Sequence, residues 1–141
     1  MSTWNIKSSL EEWELVADSI EEELCNYGFT NKFIVSLMLA MDEVIANIVA
    51  YAYDSEQGKV VIKSEYENNN VEQTAIITFI DFGKKFNPLE DAEVPDLNET
   101  DAKKRKIGGL GIFLTKNQTD DLKYSYINAS NNLTLIKKES I

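Results

Sequence analysis

The feature that most constrains the fold is a long apolar run over residues 33–53, with the sequence FIVSLMLAMDEVIANIVAYAY. Such a run is long enough to cross a bilayer, because about 20 apolar residues span the hydrocarbon core. Asp42, Glu43 and Asn47 stand at its centre, however, where polar and charged groups are costly in lipid, and no basic cluster flanks it. We therefore predict a helix buried in a protein core, with polar groups on one face, in a cytoplasmic protein with no membrane association.

The composition excludes several classes of site. The 141 residues include no histidine and one cysteine, which excludes a Ser-His-Asp triad, a Cys-His dyad, a histidine metal site and an internal disulfide. The formal net charge of -10 argues against direct binding to nucleic acid, because phosphate neutralisation needs an excess of Lys and Arg. Any acid–base chemistry must therefore come from carboxylates, Lys, Tyr or Cys.

The other patterns predict an α+β chain. In chain order they indicate a strand at 3–7, a helix from the Ser9–Glu12 capping box to Gly28, a second helix from Thr30 to about Tyr53, a hairpin of 59–67 and 71–80, a short helix at 112–117, and a hairpin of 122–128 and 132–138. We expect a two-layer sandwich, with the helices on one face of a mixed, mostly antiparallel sheet, in a single domain over residues 1–141. The poorly patterned segment 84–107 is predicted to be a lid, because structureless connections of this length are usually functional.

One candidate site lies on the second predicted helix. Glu43 and Asn47 are four residues apart, so they share a helix face and lie about 6 Å apart along the axis. Tyr51 continues this face. A carboxylate and an amide facing one cleft can act as a general base and a metal ligand, although an exposed Glu–Asn pair is more often solvated surface.

A second candidate follows the apolar strand that ends at Ile80. Asp81 can accept a hydrogen bond from an exocyclic amine, and Gly83 allows a flat ring to approach the backbone. The alternative interpretation is a plain Asp-x-Gly turn, which is common.

A third candidate is the glycine-rich sequence GGLG at residues 108–111. Glycines that open a helix expose backbone N–H groups at the positive end of the helix dipole, where anions bind. The basic run KKRK at residues 103–106 precedes it, and in an acidic protein this concentration of charge fits a polyphosphate. A flexible hinge and a solvated loop remain the alternatives.

In chain order, these three groups resemble the N, G1 and G2 boxes of the GHKL ATPases, the superfamily of gyrase B, heat-shock protein 90, histidine kinases and MutL. The surrounding sequences ALAMDEVIANIVAYAY, DFGKKFNP, VPDL and IGGLGIFLTKNQTDDLKY are similar to the bacterial anti-sigma factor serine/threonine kinases. The resemblance covers residues 9–138 and implies a Bergerat fold with an ATP lid.

The resemblance also implies a role for each matching residue. Asn47 matches a magnesium ligand that bridges the triphosphate, and Glu43 matches the carboxylate that activates the attacking hydroxyl. Asp81 matches the adenine-binding aspartate, and Gly83 matches its neighbour under the ring. The remaining matches are the phosphate-binding residues at the base of the lid, Gly108, Gly109, Leu110 and Gly111, and a strand threonine near the adenine, Thr134.

The expected function is phosphoryl transfer from ATP, with Mg²⁺, to a serine or threonine of an anti-anti-sigma (STAS) protein. The resemblance further implies sequestration of a sigma factor and a homodimer, to which Trp13 and the first helix could contribute. Tyr51 departs from the family, whose members often have histidine at this position. Two alternatives stay open, a nucleotide-gated partner-binding module with little or no kinase activity and a plain α+β domain that binds no nucleotide.

Overall fold

A computed structural model describes residues 1–54, 56–89 and 115–141. The elements are β1 (Ser2–Lys7), α1 (Leu10–Tyr27), α2 (Asn31–Asn47) with a π-helical turn at Ile48–Ala52, β2 (Lys59–Asn68), β3 (Glu72–Asp81), β4 (Asp121–Ile127) and β5 (Ser130–Ser140). Residues 115–118 are also helical. The predicted order of helices and strands is confirmed in these ranges. The predicted lid beyond residue 89 and the beginning of the short helix lie outside the described residues.

The five strands form one sheet in the order β1-β2-β3-β5-β4. Every pairing between these described strands is antiparallel. The sheet is therefore antiparallel as predicted for most of it, and the prediction that it is mixed is wrong for the described strands. Two of these four pairings have a local reason. Two hairpins join β2 to β3 and β4 to β5, and their turns use the left-handed residues Asn70, Asn128 and Ala129, which hairpin turns require.

The ends of both helices follow the predicted capping signals. The Ser9 hydroxyl caps α1 by accepting from the Glu12 N–H, and Gly28 ends it with a φ of 102°. The Thr30 hydroxyl then caps α2 by accepting from the Phe33 N–H at 3.2 Å. Only Phe29 lies between these caps, so α2 folds back beside α1 and both helices cover one face of the sheet.

The apolar run of the sequence forms the centre of the core. Leu37, Met41 and Ile45 of α2 have no exposed surface. The helical stretch Asn31–Ala52 is the one segment of the described residues that is long and apolar enough to cross a membrane, and 44% of its most apolar window is buried inside the protein. Its packing against the sheet supports the prediction of a core helix.

Trp13 of α1 also belongs to this core. Its side chain is 3% exposed and contacts the ring of Phe79, with 5.7 Å between ring centroids. Its indole N–H donates to Asp42 Oδ1 at 2.8 Å, which explains one of the two charges in the apolar run. The suggested contribution of Trp13 to a dimer surface is therefore wrong, because the side chain is already covered within one chain.

Candidate functional site

The site begins where α2 changes its winding. Asn47 is the last residue of the regular helix, and Ile48–Ala52 continue as a π-helical turn. Wide turns of this kind are rare and often occur at functional sites. Here the turn directs Tyr51 and Ala52 toward a cavity at one end of the sheet.

The cavity has a volume of about 340 Å³, which is within the range of small-molecule sites. Its wall comes from α2 and the π-helical turn, from β3, β4 and β5, and from the segments beside them: Val44, Asn47, Ile48, Tyr51, Ala52, Phe79, Asp81, Lys84, Phe86, Pro88, Thr115, Tyr124, Asn131 and Leu133. Most of the wall is apolar. The site thus combines an apolar slot with a few fixed polar groups.

Asp81 is the buried acidic group of this wall, with 7% of its surface exposed. Its Oδ1 accepts from the Gly83 N–H at 3.0 Å and from Asn131 Nδ2 at 2.9 Å. Burial raises the pKa of the Asp81 carboxyl, and these two donors offset only part of that rise. Its Oδ2 receives no hydrogen bond from the described residues, which leaves an acceptor for a ligand.

The backbone after Asp81 is fixed against the end of α2. A Cβ at Gly83 would lie 2.1 Å from the carbonyl oxygen of Ala52, so only glycine allows this approach. The Lys84 N–H donates to the same carbonyl at 3.1 Å. The Phe82 N–H donates to the Tyr53 hydroxyl at 2.7 Å.

Tyr53 connects this loop to a third segment. Its hydroxyl donates to the Lys59 carbonyl at 2.5 Å, and its ring covers Gly58, where a Cβ would lie 2.3 Å from ring atoms. Burial raises the pKa of Tyr53, and the nearby Asp81 charge adds to the rise while the Phe82 N–H opposes it. The phenol is therefore held neutral as both donor and acceptor.

The structure brings some of the predicted residues together and separates others. Asn47 and Asp81 line the same cavity, and Gly83 lies at its edge through its contact with Ala52. Glu43 is half-buried one helical turn before Asn47, although it is not part of the cavity wall. The predicted residues Gly108, Gly109, Leu110 and Gly111 lie outside the described residues.

Thr134 is on the wrong face of the sheet for the role assigned to it. It pairs with Thr78 across the β3–β5 ladder, and the two hydroxyls are 3.1 Å apart. Side chains alternate between faces along a strand, so Asn131 and Leu133 of β5 point into the cavity and Thr134 points away from the helices. The prediction that Thr134 lies near an adenine needs correction for this reason.

Asn131 was missed by reasoning from the sequence. It is the residue directly opposite Asp81 in the β3–β5 register. The signal that could have found it is the pairing of the two strands combined with the period of two. The sequence alone does not set that register, because β3 and β5 are far apart in the chain and no short turn joins them.

Comparisons with known proteins identify the family of this chain. The family profile of the histidine kinase-like ATPase domain matches residues 6–137. The serine-protein kinase RsbW of Listeria monocytogenes is 32% identical over 104 residues, which cover 70% of this chain and 62% of that protein. RsbW of Oceanobacillus iheyensis is 31% identical over 99 residues, which cover 68% of this chain and 60% of that protein.

A solved structure shows the same fold. The crystal structure of the RsbU and RsbW domains of Rv1364c from Mycobacterium tuberculosis has a TM-score of 0.65 and 15% sequence identity to this chain. The match covers 100% of this chain and 33% of the solved chain. The chain spans about 60% of the length of the curated relatives described above. The profile match covers most of the chain and confirms the GHKL assignment made from the three boxes. The chain therefore belongs to the histidine kinase-like ATPase domain family, and serine-protein kinases named RsbW are among its relatives.

Proposed function

We propose that the chain binds ATP with Mg²⁺ and is a protein serine/threonine kinase of the anti-sigma class, acting in the cytoplasm. One observation carries the proposal. The Asp81 carboxylate lies 7% exposed in the wall of an apolar cavity, with Oδ2 free of donors from the described residues. Because no fully buried side-chain oxygen of the described residues lacks a hydrogen-bond partner, Oδ2 is open to the cavity, and this arrangement supports a ligand that donates a hydrogen bond to it.

The 6-amino group of adenine suits that acceptor. Its N–H can donate to Asp81 Oδ2, while Val44, Ile48 and Leu133 provide apolar surface for the faces of the ring. The cavity of about 340 Å³ is large enough for a base. The triphosphate is proposed to reach the glycines at 108–111.

The chemistry of Asn47 fits a magnesium ligand. Its amide oxygen is a hard donor, and Mg²⁺ commonly takes one or two protein ligands together with substrate phosphates and waters. No cluster of three or more acidic or cysteine side chains that could hold a metal occurs within the described residues. We therefore expect Mg²⁺ to bind together with the nucleotide and Asn47 to be its ligand from the protein.

Glu43 is the proposed general base. It precedes Asn47 by one helical turn, so it lies about 6 Å further along the axis, where a protein hydroxyl could approach the phosphates. Mg²⁺ and ATP supply the phosphoryl group and the charge neutralisation that its transfer requires. The Glu43 carboxylate would take the proton of the attacking hydroxyl, and no histidine is needed.

The proposed partners come from the relatives. The name serine-protein kinase supports a protein hydroxyl as the acceptor, and the family resemblance indicates an anti-anti-sigma (STAS) protein in that role. The same resemblance supports a sigma factor as the sequestered partner and a homodimer as the working form. These assignments belong to the proposal because the chain matches only part of each relative.

A second candidate function is a nucleotide-gated binding module with little or no catalysis. The position of Glu43 outside the cavity wall favours it, since a base must reach the reacting hydroxyl. Both candidates share the nucleotide site and differ in the contribution of Glu43.

Two measurements test the proposal. In a thermal-shift assay, ATP with Mg²⁺ at 100 times its dissociation constant should add about 2.7 kcal/mol to the free energy of unfolding. Asn47→Ala should lose the part of this shift that depends on Mg²⁺. An unchanged melting temperature in the wild type with ATP or ADP and Mg²⁺ would refute both nucleotide functions.

The second measurement is transfer of labelled phosphate to a cognate STAS protein. Glu43→Gln should reduce the transfer rate by about 100-fold or more with ATP affinity unchanged. Glu22→Gln, the same change at an exposed position of α1, is the matched control. Binding of ATP without label transfer in the wild type would instead establish the binding module.

A further inference from the structure

We propose that Asn131 is a positioning residue that holds Asp81 and the chain after Gly83 in the arrangement that selects an amino-substituted purine. This inference rests on the proposed nucleotide site and names the residue that gives it base discrimination. Asn131 is 6% exposed and lies opposite Asp81 across the β3–β5 ladder.

The hydrogen-bonding capacity of the Asn131 amide is fully used. Its Nδ2 donates to Asp81 Oδ1 and to the Lys84 carbonyl, each at 2.9 Å. Its Oδ1 accepts from the Tyr124 hydroxyl at 2.5 Å and from the Phe86 N–H at 3.1 Å. An amide has two N–H donors and two lone pairs on oxygen, so all four are satisfied.

The partners fix the orientation of this amide. A carboxylate and a carbonyl only accept, and a backbone N–H only donates. Rotating the amide by half a turn would therefore replace favourable contacts with repulsive ones on both sides. Buried polar groups that are fully satisfied in one orientation make the surrounding arrangement rigid.

The consequence concerns the two oxygens of Asp81. Asn131 and the Gly83 N–H both bind Oδ1, which fixes the plane of the carboxylate and leaves Oδ2 for the ligand. The same amide holds the backbone at Lys84 and Phe86, two residues that line the cavity. Recognition of the base and the path of the chain leaving the site therefore depend on one side chain.

The test compares ATP with purine riboside triphosphate, which lacks the 6-amino group. Wild-type protein should bind ATP more tightly. In Asn131→Asp the acceptor contacts to Tyr124 and Phe86 remain, but the donor to Asp81 and to the Lys84 carbonyl becomes a carboxylate oxygen, which repels both at a pH where the two carboxyl groups are ionised. The preference for ATP should fall roughly tenfold, while the affinity for purine riboside triphosphate changes little.

The matched control is Asn132→Asp, which makes the same chemical change one residue along β5. Within the described residues, the Asn132 amide donates only to the carbonyl and hydroxyl oxygens of Ser130, on the face away from the cavity, so the preference for ATP should be unchanged. Asn131→Ser, which is too short to reach Asp81, provides a second variant if Asn131→Asp does not fold. Protection of the Phe86 amide from hydrogen exchange should persist in Asn131→Asp and be lost in Asn131→Ser.

The outcomes separate this inference from the proposed function. If folded Asn131→Asp and Asn131→Ser both keep the wild-type preference for ATP, the positioning role is wrong and the nucleotide site stands. Equal loss of affinity for both nucleotides would show a merely structural effect and would also overturn the inference. A wild-type protein that binds neither nucleotide would overturn the proposed function itself.

Discussion

Gly83 packs directly on the backbone of Ala52, because a Cβ at position 83 would lie 2.1 Å from the Ala52 carbonyl oxygen and 2.6 Å from its carbon. This contact fastens the end of β3 to the π-helical turn that follows α2. It therefore sets the distance between Asp81 on one side of the cavity and Asn47 on the other. The glycine of the Asp-x-Gly sequence is required by this approach rather than by a turn alone.

Gly83→Ala is expected to separate these two segments. The added methyl must displace backbone atoms, so the free energy of unfolding should fall by about 1–3 kcal/mol, and the thermal shift with ATP and Mg²⁺ should largely disappear. Gly28→Ala is the control. Its Cβ meets nothing within 4 Å but its φ is 102°, so it should cost about 1–2 kcal/mol and leave ATP binding intact. Equal ATP affinities in both variants would contradict the proposed geometry.

Asp81→Asn is expected to stabilise the free protein and abolish ATP binding. Burial raises the pKa of Asp81 in the folded state above its ordinary value of 3.8. Its protonation therefore stabilises the fold as pH falls through the folded pKa, and the full cost of the buried charge is present at neutral pH. The asparagine can still accept from Gly83 and Asn131, but it offers an N–H where adenine needs an acceptor.

The measurement is the melting temperature against pH, with and without ATP and Mg²⁺. The advantage of Asp81→Asn over the wild type should be largest at neutral pH and shrink in acid, as the wild-type carboxyl becomes protonated. Asp18→Asn, at an exposed position of α1, should show no such dependence. A variant less stable than the wild type at neutral pH would mean that the buried charge is fully compensated.

Glu23 links α1 to the edge of the sheet and should contribute to stability at neutral pH. Its carboxylate accepts from the hydroxyls of Ser2, Ser64 and Tyr66 at 2.5 to 2.8 Å. Burial raises the pKa of Glu23, but these hydroxyls and the amino terminus outweigh it and leave the pKa below its ordinary value of 4.5. The resulting stabilisation is present above the unfolded pKa and is lost as pH falls through the folded pKa.

Glu23→Gln should therefore lower the free energy of unfolding at neutral pH by about 1 kcal/mol. It should also remove part of the decrease in this free energy as the pH falls. Urea denaturation at several values between about pH 6 and pH 3 measures this. Glu22→Gln, the neighbouring exposed position, should retain the wild-type slope. Parallel curves for wild type and Glu23→Gln would show that the three hydroxyls contribute nothing specific to the charged form.

Trp13→Phe should destabilise the chain without changing its oligomeric state. The substitution removes the indole N–H that donates to Asp42 Oδ1 at 2.8 Å. Because Asp42 is exposed and water can solvate its carboxylate, the expected cost is about 1 kcal/mol. Urea denaturation and analytical ultracentrifugation are the measurements. Asp42→Asn keeps an acceptor for the indole and should cost less. A change of sedimentation in Trp13→Phe alone would restore this residue to an interface.

The sequence predicted the helices well because their signals are local. Ser9, Gly28 and Thr30 each act within one turn of the chain, so the ends of α1 and the beginning of α2 follow from neighbours only. Asp81 and Asn47 could also be chosen from the sequence. A carboxylate after an apolar strand can accept a hydrogen bond from a ligand, and an amide on a helix can be a metal ligand. Their position in one cavity supports both choices.

Features that depend on distant pairing could not be predicted. The register between β3 and β5 decides that Asn131, and not Thr134, faces the cavity, and a shift by one residue would reverse the two. The end of α2 is a similar case. An uninterrupted helix to Tyr53 was the simplest expectation, but contacts of Ala52 and Tyr53 with the chain at residues 82–84 accompany a wider turn.

The π-helical turn has a consequence for how this chain can vary. A wide turn is equivalent to one extra residue in the helix. The side chains after Ile48 are therefore rotated about the helix axis by about 100°, the rotation of one residue, relative to their positions in an ordinary α-helix. Deleting a single residue within 48–52 would remove that rotation and carry Tyr53 around the axis, away from Phe82 and Lys59. A deletion within residues 48–52 should therefore disturb the site more than a deletion of the same length in a loop. The length of this turn is itself a requirement of the site.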